Sequence, residues 1–324
     1  MTTAKPLACI CLPLEPELEA RIEEICRLVH VSWAAPLEEL IEAVRDAEGL
    51  LISNRLPIGE EVFSAAPKLR ILAGVGVGYD AFDVAAATKR GIAVSNTPDV
   101  LTHAVADLVL GLLFALSRRL LENAEYVKSG GWTHAGRAPR LGFDVRGRTL
   151  GVVGLGRIGR VVTARAQALG MRTLWNDVFS ELPAEAPPSE YRELPDLLRE
   201  SDVVSLHTDL NPTSRHLISS NELACMQPHA VLINTSRGPV VDQRALVEAL
   251  QAGTLAACAL DVLEQEPPAA DDPLLALPNA LLVPHIGSAT RETRYAMREL
   301  AVRNLTAVLS GETPATCLNP EVLS

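Results

Sequence analysis

The stretch TLGVVGLGRIGR, residues 149–160, decides the fold. An apolar run of strand type ends in Gly154-x-Gly156-x-x-Gly159, and a helical pattern follows from Arg157 to Leu169. In that context the first glycine serves a tight turn, the second lets a pyrophosphate approach the backbone, and the third lets helix pack on strand. The helix N-terminus then offers N–H groups and a partial positive charge to the phosphates. A second strand, MRTLWND, ends in Asp177, about 20 residues beyond the turn, where a carboxylate accepts hydrogen bonds from the adenosine ribose and repels a 2′-phosphate. No arginine or lysine follows before Arg192, so NAD(H) is expected in preference to NADP(H).

Outward from this turn, short apolar runs alternate with helical segments: CICL, GLLIS, LRILAGV, DVVSLH, AVLINT, LAACALDV and ALLVP. Alternation of this kind implies parallel strands joined by helical crossovers, an α/β class. A chain of 324 residues is too long for one core of usual size and suggests two domains. The run AVADLVLGLLFALSRRLLENAEYV reads as one apolar helix from about residue 103 to 128, buried or in an interface. It marks the division: a first domain of residues 1–102, rejoined by 291–324, and a dinucleotide-binding domain of residues 103–290. ELPAEAPPSE, residues 181–190, reads as a surface loop.

Composition narrows the function classes. The net charge of −11 and the lack of a basic run longer than two residues argue against a nucleic-acid partner. No apolar segment reaches the ~18 residues of a membrane span, and the N-terminus lacks the form of a signal peptide, so a cytoplasmic location is expected. The six cysteines show no zinc-type spacing, and no metal site is expected; Cys9 and Cys11 should share one side of a strand.

Polar residues follow apolar strands at three places: Arg237 after AVLINT, Glu264-Gln265-Glu266-Pro267 after ACALDVL and His285 after LLVP. In an open parallel sheet ligands bind beyond the carboxyl ends of the strands, where these positions can converge. They also suit hydride transfer to a 2-oxo acid. Arginine forks onto a carboxylate, histidine passes a proton near neutral pH, and glutamate orients and charges the imidazole. His207 also ends a strand but lacks nearby partners, and is expected on the adenine side of the cofactor or in a structural role. Asp261 is either a ligand contact or a strand-end turn residue. The alternating glycines of GVGVGYD, residues 74–80, have the wrong spacing for a pyrophosphate turn and could instead offer N–H groups to a small anion.

These residues carry a resemblance along nearly the whole chain. The stretches VGYDAFDVAAATKRGIAVSNTPDVLTHAVAD, GVVGLGRIG, INTSRGPVVD, ALDVLEQEP and PHIGSATRETR resemble those of the D-isomer-specific 2-hydroxyacid dehydrogenases. Within that family the chain is most similar to the bacterial glyoxylate/hydroxypyruvate reductases, also described as 2-ketogluconate reductases.

The resemblance implies two Rossmann-like or flavodoxin-like domains with parallel sheets and a cleft between them, a homodimer, and a small 2-oxo or 2-hydroxy acid as substrate. It places substrate binding on Arg237, Val77 and Gly78, the histidine-partner glutamate on Glu266, and the acid/base on His285. Dinucleotide contacts fall on Gly154, Gly156, Arg157, Ile158, Gly159, Asp177, Thr235, Ser236, Arg237 and Asp261, and on the turn His285, Gly287 and Ser288. Two departures stand out. Asn176-Asp177-Val178-Phe179 lacks the arginines that such reductases carry for NADPH, and Ala135 stands where some have a second tryptophan. Pocket size would rest on Asn54, Arg55 and Trp132. The alternatives are another 2-oxo acid reductase, such as one for 2-ketogluconate, or a non-catalytic dinucleotide sensor.

Overall fold

The computed structural model describes residues 5–54, 56–133 and 140–323. The chain divides into two compact units, residues 1–101 with 290–324, and residues 102–289. Each division falls one residue before the position expected above, because Thr102 opens a helix and the Thr290 side chain caps another, accepting from the Thr293 N–H.

The first unit is a five-stranded sheet of β1 (Leu7–Ile10), β2 (Arg27–His30), β3 (Gly49–Ser53), β4 (Ile71–Val75) and β5 (Ala93–Ser95). Every pairing is parallel and the order is β2-β1-β3-β4-β5. Strands covered on both faces must be apolar throughout, which is why β3 and β4 read as unbroken runs. The sequence runs leave out β2, an edge strand with half-polar residues, and β5, only three residues long. One face packs against the last helix, Arg291–Leu309, through Ala301, Val302 and Leu305. Gly49 leaves the slot for it: a Cβ there would sit 2.6 Å from the Leu305 Cδ1. Cys9 and Cys11 share a side of the first strand and its extension, their sulfurs 3.7 Å apart in the opposite core layer. All six cysteines are free thiols.

The second unit is a seven-stranded sheet of β6 (Thr149–Val153), β7 (Arg172–Asn176), β8 (Glu190–Tyr191), β9 (Val203–Leu206), β10 (Val231–Asn234), β11 (Ala257–Leu260) and β12 (Ala280–Leu282). It is also wholly parallel, in the order β12-β11-β10-β9-β6-β7-β8. The order reverses direction at β6, so the glycine turn lies at the switch point where such sheets bind ligands. Because every strand runs the same way, the loops after β6, β9, β10, β11 and β12 leave from one edge.

The single helix read over residues 103–128 is two, Thr102–Ser117 and Leu120–Lys128. Arg119 between them is left-handed, with φ of 50°. The Ser117 carbonyl accepts from the Phe143 N–H at 2.8 Å, and a Cβ on Gly142 would lie 1.8 Å from it, so the returning chain occupies the place of the next turn. The first helix buries Val105, Ala106, Val109, Leu112 and Leu113; the second buries nothing, leaving Leu120, Leu121 and Val127 exposed. Among the described residues no helix is long and apolar enough to cross a membrane.

Candidate active site

The three glycines of the turn answer three different backbone demands. Gly154 has φ of 95°, and a Cβ on it would lie 2.7 Å from the His207 carbonyl carbon. A Cβ on Gly159 would lie 2.1 Å from the Gly154 oxygen, so the helix Arg157–Ala168 approaches the strand only because that side chain is missing. A Cβ on Gly156 would meet nothing within 4 Å, which leaves open backbone where a pyrophosphate would come. No side chain caps the first turn of this helix. Asp177, at the end of β7, closes the turn from the side: its carboxylate accepts the Leu155 and Val178 N–H groups, each at 2.7 Å.

Two buried hydroxyls on the same sheet edge, Thr208 Oγ1 after β9 and Thr235 Oγ1 after β10, have no hydrogen-bond partner. Buried polar groups are rarely left so, and a ligand's hydroxyl or amide would satisfy them. Together with the open Gly156 these orphaned atoms fit a dinucleotide. Sequence reading picked out Thr235 and missed Thr208, whose only signal is that it follows the strand-end histidine. His207 itself is held by its N–H on the Val153 carbonyl, 2.7 Å, and by its Nε2 against Ser205 Oγ, 2.9 Å. Burial lowers its pKa to about 4, so it is a neutral ring near pH 7.

After β10 the chain turns on Asn234. The buried Asn234 Oδ1 accepts from the Ser236 N–H and hydroxyl, and its Nδ2 donates to the Arg237 carbonyl at 2.9 Å, which wraps Thr235-Ser236-Arg237 into a fixed turn. Gly238 then presses on the neighbouring loop: a Cβ there would lie 1.9 Å from the Leu263 carbonyl carbon. This brings the arginine-bearing loop against the loop after β11.

That second loop carries Asp261 and Glu266. Glu266 Oε1 accepts the Leu263 N–H at 3.2 Å, and Oε2 meets His285 Nδ1 at 2.7 Å. His285 is left-handed, with φ of 53°, a conformation uncommon outside glycine and worth about 1–3 kcal/mol of strain. The following residues hold it there: the Ile286 and Gly287 N–H groups donate to the two oxygens of Asp261, at 2.5 and 2.8 Å. Asp261 is 2% exposed. Burial raises its pKa, opposed by those two N–H groups and by His285. The pairing commits Nδ1 to the carboxylate and directs proton exchange to Nε2.

In the first unit the alternating glycines seat a side chain. A Cβ on Gly74 would lie 2.4 Å from Asn54 Oδ1, and one on Gly76 3.0 Å from the same amide. Asn54 Nδ2 donates to the Gly78 carbonyl and Asn96 Nδ2 to the Val77 carbonyl, while Gly76 and Thr97 bond each other. With both carbonyls held, the Val77 and Gly78 N–H groups donate to nothing else among the described residues. Asn96 went unnoticed in the sequence. Trp132 is largely exposed, and Arg55 and Ala135 lie outside the described residues. Among the described residues no cluster of three or more His, Cys, Asp or Glu could hold a metal ion.

Residues 110–287 match the family model described as D-isomer specific 2-hydroxyacid dehydrogenase, NAD binding domain. A glyoxylate reductase of Korarchaeum cryptofilum is 49% identical over 286 residues, covering 88% of this chain and 86% of the relative. Glyoxylate/hydroxypyruvate reductase B of Erwinia tasmaniensis is 42% identical, covering 98% and 99%. The structure of an NADPH-dependent glyoxylate/hydroxypyruvate reductase from Sinorhizobium meliloti, in complex with NADP and malonate, superposes with a TM-score of 0.86 at 35% identity, covering 97% of both chains.

Proposed function

This chain belongs to the D-isomer-specific 2-hydroxyacid dehydrogenase family, and from that premise we propose that it reduces small 2-oxo acids, glyoxylate and hydroxypyruvate foremost, with NADH as its working cofactor. A bound nicotinamide dinucleotide supplies the hydride. His285 delivers a proton from Nε2 to the substrate oxygen, and Glu266 on Nδ1 holds the ring and stabilises its charged form. Arg237 forks onto the substrate carboxylate and polarises the adjacent carbonyl. Val77 and Gly78 have a carboxylate-binding role, supported by amide groups whose carbonyls are tied back. The observation that carries the reading is the 2.7 Å contact between His285 and Glu266, at the sheet edge that also bears the glycine turn.

Preference for NADH rests on Asp177, followed by the exposed apolar Val178 and Phe179, with no arginine or lysine in the sequence before Arg192. In this the chain would differ from the NADPH-dependent relative of S. meliloti. The working form is a homodimer in the cytoplasm. Leu120 and Leu121, each more than half exposed on a helix that buries nothing, support the first, and six free thiols suit the second. A monomer mass by light scattering would contradict the dimer.

The test is loss of nicotinamide absorbance with NADH and NADPH in parallel, against glyoxylate, hydroxypyruvate, 2-ketogluconate and pyruvate. Turnover of the first two with NADH is expected. Better use of NADPH would reject the role of Asp177, and silence with every acid would reject the reductase. His285→Ala is expected to lower kcat by about 10²–10⁴-fold with dinucleotide binding retained.

A further inference from the structure

The loop that carries Glu266 holds a second carboxylate, and it too meets a histidine. Glu264 Oε1 lies 2.8 Å from His216 Nε2. His216 stands on the segment after β9 and, like His285, is left-handed, with φ of 51°. Its own N–H donates to the Pro239 carbonyl at 2.8 Å, just past Arg237. One residue therefore ties the segment after β9 to the loops after β10 and β11.

Glu264 is held from a second side. Its N–H donates to Gln243 Oε1 at 3.1 Å, and its carboxylate accepts the Gln243 N–H at 3.3 Å. Gln243 in turn donates to Asp272 at 2.8 Å. The peptide between Leu263 and Glu264 is the one against which Gly238 packs, and the Leu263 N–H holds Glu266 Oε1. A continuous chain of contacts thus runs from the His216 ring through Glu264 and the Leu263 backbone to Glu266, and ends on His285 Nδ1.

We propose that His216 is a positioning residue for the reaction: through Glu264 it fixes the loop that aims Glu266 at His285. The inference rests on the acid/base reading of His285. The His216 side chain is 43% exposed and that of Glu264 34%, so the pair contributes little to global stability. Its effect is geometric. If the loop drifts, Glu266 leaves the imidazole and the ring loses the contact that orients Nε2.

The test uses His216→Asn in the full chain. Asparagine tolerates the left-handed backbone but is too short to reach Glu264. The expected result is a fall in kcat of roughly tenfold, less than the ~100-fold of an ångström-scale misplacement, with NADH affinity by fluorescence unchanged. The loss should fall on kcat and kcat/KM alike, with KM for the 2-oxo acid little changed. Glu264→Ala should reproduce both effects, Glu264→Gln, which keeps an acceptor oxygen, should restore most of the rate, and the double variant should be no worse than either single one. A parent-like kcat in His216→Asn, with His285→Ala inactive, would overturn the positioning role alone. An active His285→Ala would overturn the acid/base reading and this inference with it.

Discussion

His207 and His285 both follow strands of the same sheet, yet their surroundings differ: β9 before His207 is buried, β12 before His285 only half-buried. Burial without a charged partner keeps His207 neutral, with a pKa lowered to about 4, whereas His285 faces a carboxylate. The consequence for stability has a definite sign. An unfolded histidine takes up its proton near pH 6.5 and the folded one only near 4, so the unfolded chain binds more protons between those values. Stability present above pH 6.5 is therefore lost as the pH falls towards 4, by up to about 1.4 kcal/mol per pH unit. His207→Gln should flatten this loss, measured as the urea midpoint at several pH values across that window. Parallel curves for the two proteins would show that the ring is not what titrates. Asp261 shows the other side of residue-scale reading. From its place in the sequence it is a ligand contact or a turn residue; in the fold its carboxylate pins Ile286 and Gly287, a contact across 26 residues that no local pattern announces.

Among the elements, the glycine turn is the most legible, because Gly159 answers an approach made within the turn itself, Gly154 has a positive φ, and Gly156 leaves the backbone open. The parallel direction of the strands is legible because alternation of apolar strands with helices implies crossovers; their order in each sheet is not. The break at Arg118 and Arg119 is not, since it depends on Gly142 and Phe143 returning to the Ser117 carbonyl, and the helix pattern itself runs on unbroken. Thr208 and Asn234 were hidden for the same reason, being polar residues whose partners, or lack of them, are settled only by the finished sheet. Gly238 belongs at this scale. It reads as an ordinary turn glycine, but its missing side chain sets the spacing between two loops. Gly238→Ala must push the Leu263 backbone aside, which should cost about 1–3 kcal/mol and lower kcat by about 100-fold or more. Thermal unfolding and steady-state rates measured together would check this; an unaltered rate would mean that the loops carry the arginine and the glutamate independently.

At the scale of the whole molecule, the chain's last residues complete the unit begun by its first. Asn319, 1% exposed, accepts the Val94 N–H and donates to Thr88 Oγ1 and the Ile92 carbonyl, each at 2.8 Å, so that one side chain satisfies the groups around β5. Asn319→Leu would leave the buried Val94 N–H and Ile92 carbonyl short of partners, at a cost of about 2–5 kcal/mol. Chemical denaturation would read it, and a loss below about 0.5 kcal/mol would mean that water takes over the bonds.

The slot that Gly49 keeps for Leu305 also orders events in time. A ribosome delivers the sheet of the first unit early and the helix that covers it last. Until residue 291 and its successors emerge, Ile10, Leu51, Ile71 and Ala73 lack the apolar cover of Ala301, Val302 and Leu305, while residues 102–289 are already continuous and able to close. Maturation should therefore run from the middle of the chain outward. Stalled at residue 289, the nascent protein should show a protease-resistant central segment and a digestible N-terminal one; equal resistance of both would mean that the first sheet stands without its final helix.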